Sequence, residues 1–470
     1  MCLLHPNDLK SEFSTQKESG IKNFPTLFFS ILHSMLKSPG TFKGSVKGVY
    51  FRMKKTEMKK RMVFSTTVIL LFLFIPLICC ADTAEVLPKG IFYFDTTYYH
   101  YFNIIKRYNP DGNTEPLAID LNTDLNSSVF PDLTLLDPLV GGSASIGRSD
   151  VDFSLLIKNF EFSLYYGITD KLSFGVMVPY YFLKNKVNAR LDSSTANVGK
   201  SSLLNSLAPL SGPFAPPDVE PLIADDVQNL IGKGLDINGD GITDIEGFNF
   251  KRVETWSDRG LGDIEITGKY QFFKNSNWRL ACVGGVRLPT GEVDDPDNLA
   301  DIAFGDGQTD LLFRLHADYL GIKNLLLNAT MRYDIQLPDH ELLRVPVDVN
   351  LPLTANKETV KRNLGDAIEL ELMGSYEFTK QLSGGLKYRY TKRFKDDIEN
   401  NGRDIISLEE ETNPTGQMFF ITLGYSTVQM YLEKKFAVPF SVNLSYRNRF
   451  AGTNNLNKSQ YISLDLTVFF

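Results

Sequence analysis

Apolar and polar residues alternate along most of the chain after position 90. The last ten residues, YISLDLTVFF, place Ile462, Leu464 and Leu466 on one face of an extended strand and Ser463 and Asp465 on the other, because successive side chains of a strand point to opposite faces. An apolar strand at the end of a chain promotes aggregation unless another strand pairs with it. A closed barrel supplies that partner, because its last strand pairs with its first.

The same alternation predicts twelve amphipathic strands. Most span ten or more residues, which matches the ~9–11 residues that a tilted strand needs to cross a bilayer and exceeds the usual strand of a soluble protein. The predicted strands are 91–104, 153–167, 171–185, 260–273, 277–289, 308–320, 323–338, 366–379, 381–394, 416–431, 437–450 and 460–470.

The connections between these strands alternate in length. Short turns on one side and long loops on the other are typical of outer-membrane barrels, with the short side facing the periplasm. The sequence therefore predicts an all-β fold, a transmembrane antiparallel up-and-down β-barrel of about 12 strands with short periplasmic turns and long extracellular loops. A sandwich of two sheets is the alternative, but it has no reason to segregate loop length in this way. The short turns are 167–171, 274–277, 321–323 and 379–381, and the long connections are 105–152, 186–259, 290–307, 339–365 and 395–415.

The polar face of the predicted strands carries many charges, which a water-facing interior accommodates and lipid does not. Opposite signs on neighbouring strands, such as Glu265 beside Arg287 and Glu371 beside Arg389, predict cross-strand pairs that contribute roughly 0.2–1 kcal/mol each. Two interpretations stay open: the pairs only make a wet interior tolerable, or the members left over line a solute pathway. The residues predicted to line the lumen are Asp263, Glu265, Lys269, Arg279, Arg287, Asp310, Arg314, His316, Arg332, Glu369, Glu371, Lys387, Arg389, Arg447 and Arg449.

Residues 53–81 have the order of a secretory signal peptide. A basic stretch at 54–61 precedes an apolar run at 68–78 and the small-residue end Cys79-Cys80-Ala81, after which cleavage is expected. Because such a signal begins at the start of a chain, we interpret 1–52 as a spurious N-terminal extension and 82–470 as the outer-membrane barrel. An anchoring helix and a lipoprotein cleaved at Cys79 or Cys80 are alternatives. The mature chain would keep Cys282 alone, so no internal disulfide is expected.

Charge and composition exclude several classes of function. The formal net charge is −7 and no basic patch carries interleaved aromatic residues, which argues against a nucleic-acid partner. No apolar run after position 80 approaches the ~20 residues of a spanning helix. No serine adjoins His316 in the predicted hairpins, so we predict no catalytic residue and do not expect an enzyme.

The long extracellular loop 186–259 contains the stretch GLDINGDGITDIEG. Oxygen-bearing side chains on alternate residues wrap a hard cation such as calcium, and a glycine in the middle permits the turn. Against calcium, Gly247 occupies the position where a bidentate glutamate is expected, and a plain turn cluster of Asx and Gly residues is the alternative. The predicted calcium ligands are Asp236, Asn238, Asp240, the carbonyl of Ile242, and Asp244.

Two hairpins carry a family resemblance. Residues 260–291 read GLGDIEITGKYQFFKNSNWRLACVGGVRLPTG and precede an acidic loop, and residues 164–182 read LYYGITDKLSFGVMVPYYF. The G-x-G-D strand start, the L-P-T-G end and the Y-G-I-T-D turn resemble a family of outer-membrane barrels known as phenol meta-pathway degradation proteins or transporters, which is distantly similar to long-chain fatty-acid channels. The resemblance implies a barrel associated with uptake of hydrophobic or aromatic compounds, and it brings no catalytic residue with it.

The final strand resembles the C-terminal aromatic signature that the barrel-assembly machinery reads. The expected partners are therefore that machinery, outer-membrane lipid and a small-molecule solute. We predict a channel in the bacterial outer membrane for passive uptake of small hydrophobic or aromatic compounds, narrowed by the long loops 105–152 and 186–259. A structural or adhesive barrel with an occluded lumen is the alternative, and an outer-membrane hydrolase is a third.

Overall fold

The computed structural model describes residues 83–199, 221–236, 241–243, 245–347, 351 and 353–470. The expected extension at 1–52 and the signal peptide at 53–81 lie outside these residues. Asn238, Asp240 and Asp244 of the calcium motif do as well.

Twelve antiparallel strands form one closed ring, in which each strand is hydrogen-bonded to two others of the ring. The predicted twelve-stranded barrel is therefore confirmed. The strands are β1 (Phe92–Tyr101), β2 (Ser145–Thr169), β3 (Leu172–Asp192), β4 (Ile264–Lys274), β5 (Trp278–Leu288), β6 (Asp310–Ile322), β7 (Leu325–Gln336), β8 (Ala367–Glu377), β9 (Leu382–Arg393), β10 (Thr415–Ser426), β11 (Phe440–Gly452) and β12 (Gln460–Phe469).

The final strand closes the barrel as its alternation predicts. β12 pairs with β11 on one side and with β1 on the other, in a register that sets Tyr98 opposite Leu464. The backbone N–H of Phe92 donates to the carbonyl of Phe470 at 2.8 Å, and the N–H of Phe470 donates back at 3.0 Å. The strand therefore has no free edge along this stretch.

The two faces of the wall differ in polarity. Leu372 and Leu386 point outward and are 61% and 65% exposed, whereas Glu371 and Lys387, next to them in sequence, point inward and are 1% and 7% exposed. A large exposed apolar surface around a closed barrel is stable in lipid, where every backbone group of the wall is satisfied by its neighbours. The chain is thus a transmembrane barrel of the bacterial outer membrane, with its long loops on the extracellular side. Among the described residues, no helix is both long and apolar enough for a membrane span.

The extracellular connections contain more regular structure than the sequence predicts. β2 and β3 continue past the membrane as a tall hairpin of 25 and 21 residues. One connection contributes the helix Ala224–Ile231, and two others form a four-stranded sheet. The sheet strands are Asp339–Arg344, Lys357–Asn363, Asp397–Asn400 and Arg403–Asp404, and the remaining short elements are the strands Lys106–Tyr108, Thr114–Pro116, Asp124–Asn126, Gly234–Leu235 and Ile245–Glu246 and the helical turns Ile119–Leu121, Pro131–Leu136, Asp137–Val140 and Ile406–Glu409.

The strands predicted at 153–167 and 171–185 extend to Ser145–Thr169 and Leu172–Asp192, and two other predicted strands end early or are interrupted. The strand expected at 416–431 ends at Ser426, and Val428–Leu432 form a short helix instead. The strand expected at 260–273 is interrupted, so that Trp256–Leu261 pairs with the outer part of β3 and β4 with its inner part. Between the two parts, Gly262 donates its N–H to the carbonyl of Pro179 at 3.0 Å. The interruption lies beside a proline, which has no N–H to give to a ladder.

Candidate functional site

The candidate site is the barrel interior, because the side chains predicted to line the lumen lie on the seven strands β4 to β9 and β11 or directly before β4. All fifteen side chains named from the sequence are buried, with exposed fractions of 7% or less. Most of them fall into two ion clusters, one on β4 to β7 and one on β7 to β9, and one is an arginine on β11 that packs among aromatic rings. The remaining members lie nearer the periplasmic end or at the extracellular rim.

The first ion cluster consists of Glu265, Arg287, Asp310, Arg314 and Asp334, which β4, β5, β6 and β7 bring together. Glu265 lies directly opposite Arg287 in the ladder, and their side chains approach to 2.8 Å. Arg287 also pairs with Asp310 and, at 3.0 Å, with Asp334, while Arg314 contacts the second oxygen of Glu265 at 2.7 Å. The predicted cross-strand pair therefore forms, within a network of two cations and three carboxylates.

The second ion cluster consists of Arg332, Glu369, Glu371, Lys387 and Arg389 on β7, β8 and β9. Glu371 accepts from Arg389 Nε at 2.7 Å and from Lys387 Nζ at 3.0 Å. Glu369 lies opposite Arg332 in the ladder and contacts it at 3.2 Å. Here three cations share two carboxylates, so this cluster carries the opposite excess charge to the first.

Arg447 on β11 is held by aromatic rings. Its guanidinium carbon lies 4.9 Å from the ring centre of Tyr99, 5.0 Å from that of Phe420 and 5.2 Å from that of Tyr461, and it donates to Ser463 Oγ at 3.2 Å. Within the described part of the chain it forms no ion pair. Cation–π contacts of this kind stabilise a positive charge by ~0.5–2 kcal/mol each, so the interior holds a positive group without a carboxylate beside it.

The aromatic side of the interior continues to the extracellular mouth. The rings of Tyr101 and Tyr461 stack at 4.1 Å between centres, and Tyr181 lies 6.2 Å from Phe304 of the loop above. These side chains belong to one buried apolar cluster. We call its aromatic members the mouth cluster: Tyr99, Tyr101, Phe153, Tyr181, Phe304, Phe420 and Tyr461.

An N-terminal segment, Thr83–Leu87, lies inside the barrel near the periplasmic end. The N–H of Ala84 donates to both carboxylate oxygens of Asp318 at 3.1 Å, and Glu85 pairs with Arg279 at 3.0 Å. Arg279 also pairs with Asp318 at 2.9 Å. Arg279 thus joins the wall to this segment.

Two further wall residues bind the same segment through its backbone. Lys269 donates to the carbonyl of Thr83 at 2.8 Å, and Gln271 donates to the carbonyl of Ala84 at 2.7 Å. The sequence predicts narrowing by the long extracellular loops, but the structure also narrows the interior from the periplasmic side.

The three other predicted members of the site have local roles. Asp263 accepts from the N–H of Gly291 at 2.8 Å, and Arg449 donates to the carbonyl of Asn457 at 2.7 Å, so both fasten loops at the rim. His316 Nδ1 lies 2.9 Å from Thr330 Oγ1, and that hydroxyl donates its single proton to Asn328 at 3.1 Å. His316 and Thr330 thus belong to a buried hydrogen-bond network that continues through Asn328 to Asp318.

Two of the five predicted calcium ligands lie in the described residues. Asp236 accepts from the N–H of Gly241 at 2.8 Å, which is a turn contact. Within the described ranges, no group of three or more His, Cys, Asp or Glu side chains could hold a metal ion. The set of five ligands therefore stays a prediction.

Sequence reasoning missed two parts of the interior. Tyr99 lies on the same face of β1 as the polar residues Asp95 and Thr97, so counting by twos could have placed its ring inside. No comparable signal marked Glu85, because the short N-terminal segment has no periodicity from which to read its position.

Residues 222–411 match the family model described as "Putative MetA-pathway of phenol degradation". A search of curated proteins found no match. An outer-membrane channel from Pseudomonas putida F1 is 13% identical with a TM-score of 0.47, and the match covers 83% of this chain and 99% of that one.

Two other solved structures are similar at lower scores. A FadL homologue from Pseudomonas aeruginosa is 10% identical with a TM-score of 0.31, covering 82% of this chain and 91% of that one. A deletion mutant of the TodX monoaromatic hydrocarbon channel is 11% identical with a TM-score of 0.32, covering 81% and 90%. The match to the family model includes the 260–291 hairpin that pointed to it, and it therefore confirms the predicted resemblance to this phenol-degradation family of barrels over residues 222–411.

Proposed function

We propose that the barrel is a channel for passive uptake of small hydrophobic or aromatic compounds across the outer membrane. The observation that carries the proposal is the mouth cluster, a buried aromatic surface at the extracellular end, beside two ion clusters whose excess charges are opposite in sign. Aromatic side chains offer a solute large apolar contact area and stacking partners. The family description adds that relatives are linked with phenol degradation.

Each part of the interior has a separate role in this proposal. The mouth cluster gives an apolar solute aromatic contact area, and the charged groups beside it, Arg447 and Glu161, already contact its rings. The ion clusters hold their own charges in pairs, so they do not bind the solute tightly. Uptake is passive because the solute follows its own concentration gradient through a fixed wall.

The proposal is tested in vesicles that carry lipopolysaccharide in the outer leaflet, which slows the direct permeation of apolar solutes. We expect phenol to enter protein-containing vesicles faster than arabinose, relative to protein-free vesicles. Tyr461→Ala removes a ring from the mouth cluster and is expected to lower the ratio of phenol to arabinose uptake. Tyr446→Ala removes a ring from the outward face of β11 and should leave the ratio unchanged. Equal permeation of both solutes by the unaltered protein would contradict the proposed selectivity.

The second candidate is a structural or adhesive barrel with an occluded lumen. It is favoured by the N-terminal segment, which is fixed inside the barrel by Asp318, Arg279, Lys269 and Gln271. Absence of both conductance and solute uptake in the same vesicles would support this candidate over the channel.

We also propose that the final strand is the segment that the barrel-assembly machinery binds. β12 ends at Phe469 and is followed by a second aromatic residue, Phe470, and it is the strand that closes the ring with β1. Phe470→Ala should slow assembly in the outer membrane while the purified variant still folds into detergent. Unchanged assembly in cells would contradict this role.

A further inference from the structure

A cavity of about 100 Å³ lies in the extracellular part of the protein, outside the barrel interior. The helix Ala224–Ile231 forms one side of it with Ala224, Val227, Gln228 and Ile231. These positions are spaced by three, one and three residues and therefore share one face of the helix. The tall β2–β3 hairpin forms the opposite side, so two rigid elements hold the cavity open.

The lining is mainly apolar, and its two charged side chains are held in ion pairs, Asp120 with Arg107 and Arg190 with Asp150. The Gln228 amide donates to the carbonyl of Val253 at 3.2 Å and accepts from the N–H of Val253 at 3.0 Å. Ser149 Oγ donates to the carbonyl of Leu121 at 2.6 Å and accepts from the N–H of Thr123 at 3.1 Å. A buried water needs two to four polar partners, and these groups are not available to supply them.

Size and chemistry together select the occupant. A dry apolar cavity of roughly 150 Å³ in another protein binds benzene, so one of about 100 Å³ accommodates a single ring at most. Each apolar carbon atom that leaves water for such a site contributes to binding in proportion to the area it buries, at ~25 cal/mol per Å². A charged or strongly hydrogen-bonding solute would lose its hydration without compensation.

The cavity adjoins the apolar cluster that lines the barrel mouth. Val151 belongs to both, and Leu121, Ala189 and Leu299 line the cavity while packing against that cluster. An apolar surface therefore extends from the cavity to the aromatic side chains above the ion clusters.

We infer that this cavity binds one small apolar molecule, of the size of a one-ring aromatic hydrocarbon, on the extracellular side of the barrel. The inference of binding depends only on the cavity. A role of this cavity as a binding site for the solute before it enters the barrel rests on the proposed uptake function.

The test uses the complete barrel in lipid nanodiscs, with fluorobenzene as the probe and ¹⁹F NMR as the readout. We expect a protein-bound signal that toluene displaces. Val227→Phe and Ala224→Leu place extra carbon atoms in the cavity and should each weaken binding at least tenfold. Asn229→Phe adds a ring to the exposed side of the same helix and should leave binding unchanged.

Val227→Phe and Ala224→Leu both fill the cavity, so the test remains decisive if one of them fails to fold. Loss of protease resistance in the extracellular region identifies a variant that has not folded. Unchanged fluorobenzene binding in a folded filling variant would overturn the inference, as would absence of a displaceable signal in the unaltered protein. Phenol uptake is measured on the same proteins in lipopolysaccharide vesicles. Binding without uptake would refute the proposed channel and leave the cavity site standing, whereas uptake without binding would do the reverse.

Discussion

Replacement of Glu371 by glutamine tests whether the second ion cluster acts as a buried electrostatic unit. The substitution keeps the shape of the side chain and removes its charge. Glu371 is 1% exposed and accepts from Lys387 Nζ and Arg389 Nε at 3.0 and 2.7 Å. Three cations would then share one carboxylate, Glu369, instead of two.

The magnitude follows from these contacts. Hydrogen bonds to charged groups contribute ~1.5–3 kcal/mol each, and removal of one partner from a buried pair costs ~3–5 kcal/mol because the other charge stays behind. We therefore expect Glu371→Gln to lower the free energy of unfolding by about 3–5 kcal/mol. Adding Arg389→Gln removes the opposing charge, so the double variant should be less destabilised than the sum of the two single variants by ~0.5–3 kcal/mol.

The assay is reversible urea unfolding in phospholipid vesicles, followed by the fluorescence of the two tryptophans. Glu399→Gln is the matched control, because Glu399 pairs with Lys361 at 2.6 Å in an ion pair whose side chains are 34% and 49% exposed. Exposed pairs contribute ~0–1 kcal/mol. If Glu371→Gln and Glu399→Gln lower the free energy of unfolding by the same small amount, water in the interior screens the cluster and the reasoning is wrong. The same conclusion follows if the effects of Glu371→Gln and Arg389→Gln simply add in the double variant.

Three further predictions concern other parts of the chain. Glu85→Ala removes the ion pair that fastens the N-terminal segment to Arg279, so single-channel conductance should rise. Lys89→Ala, at an exposed position, should leave the conductance unchanged. Equal conductances of the two variants would show that the ion pair does not restrict the pathway. Burial raises the pKa of Asp294 in the loop between β5 and β6 to about 8, so the folded protein keeps a proton that the unfolded chain has already released above its ordinary pKa near 4. Stability should therefore fall as the pH rises from about 4 to about 8, and Asp294→Asn should flatten that dependence in thermal unfolding measured across this range. We propose that the loop motif at 236–244 binds calcium, in which case EDTA should lower the melting temperature of the unaltered protein and not that of Asp240→Asn; identical shifts would refute calcium binding at this motif.

The sequence was sufficient for the wall of the barrel because each strand repeats one simple rule. A period of two residues turns Leu372 toward lipid and Glu371 inward, and a one-residue slip would bury the apolar set and expose the charges. The same rule identified the pairing of Glu265 with Arg287, since residues of opposite charge on adjacent strands lie opposite each other.

The parts that could not be predicted depend on contacts between distant segments. One of the two carboxylates that pair with Arg279 is Glu85, which lies far away in sequence and belongs to no strand. The four-stranded extracellular sheet is built from strands of two to seven residues, and segments of this length carry too few alternations to be recognised. The helix Ala224–Ile231 has one apolar face, but the cavity that this face lines forms only where the tall hairpin packs opposite it.

The arrangement of the interior explains how an apolar solute could cross a barrel whose wall is rich in charge. If charged side chains were spread evenly around the lumen, every path would require a solute to displace their hydration, at a cost that no apolar contact offsets. Here the carboxylates of β4 to β8 are paired with arginine and lysine side chains, and the neighbouring strands β10, β12 and β1 present Phe420, Tyr461 and Tyr99. The two parts meet where Lys387 Nζ lies 4.3 Å from the ring centre of Phe420. Arg447 packs against those rings and donates to Ser463 Oγ. The ring of an aromatic solute could take the place of one of these side chains and make the same cation–π contact with Arg447. The side chains that hold Arg447 therefore favour an aromatic solute at this point of the pathway.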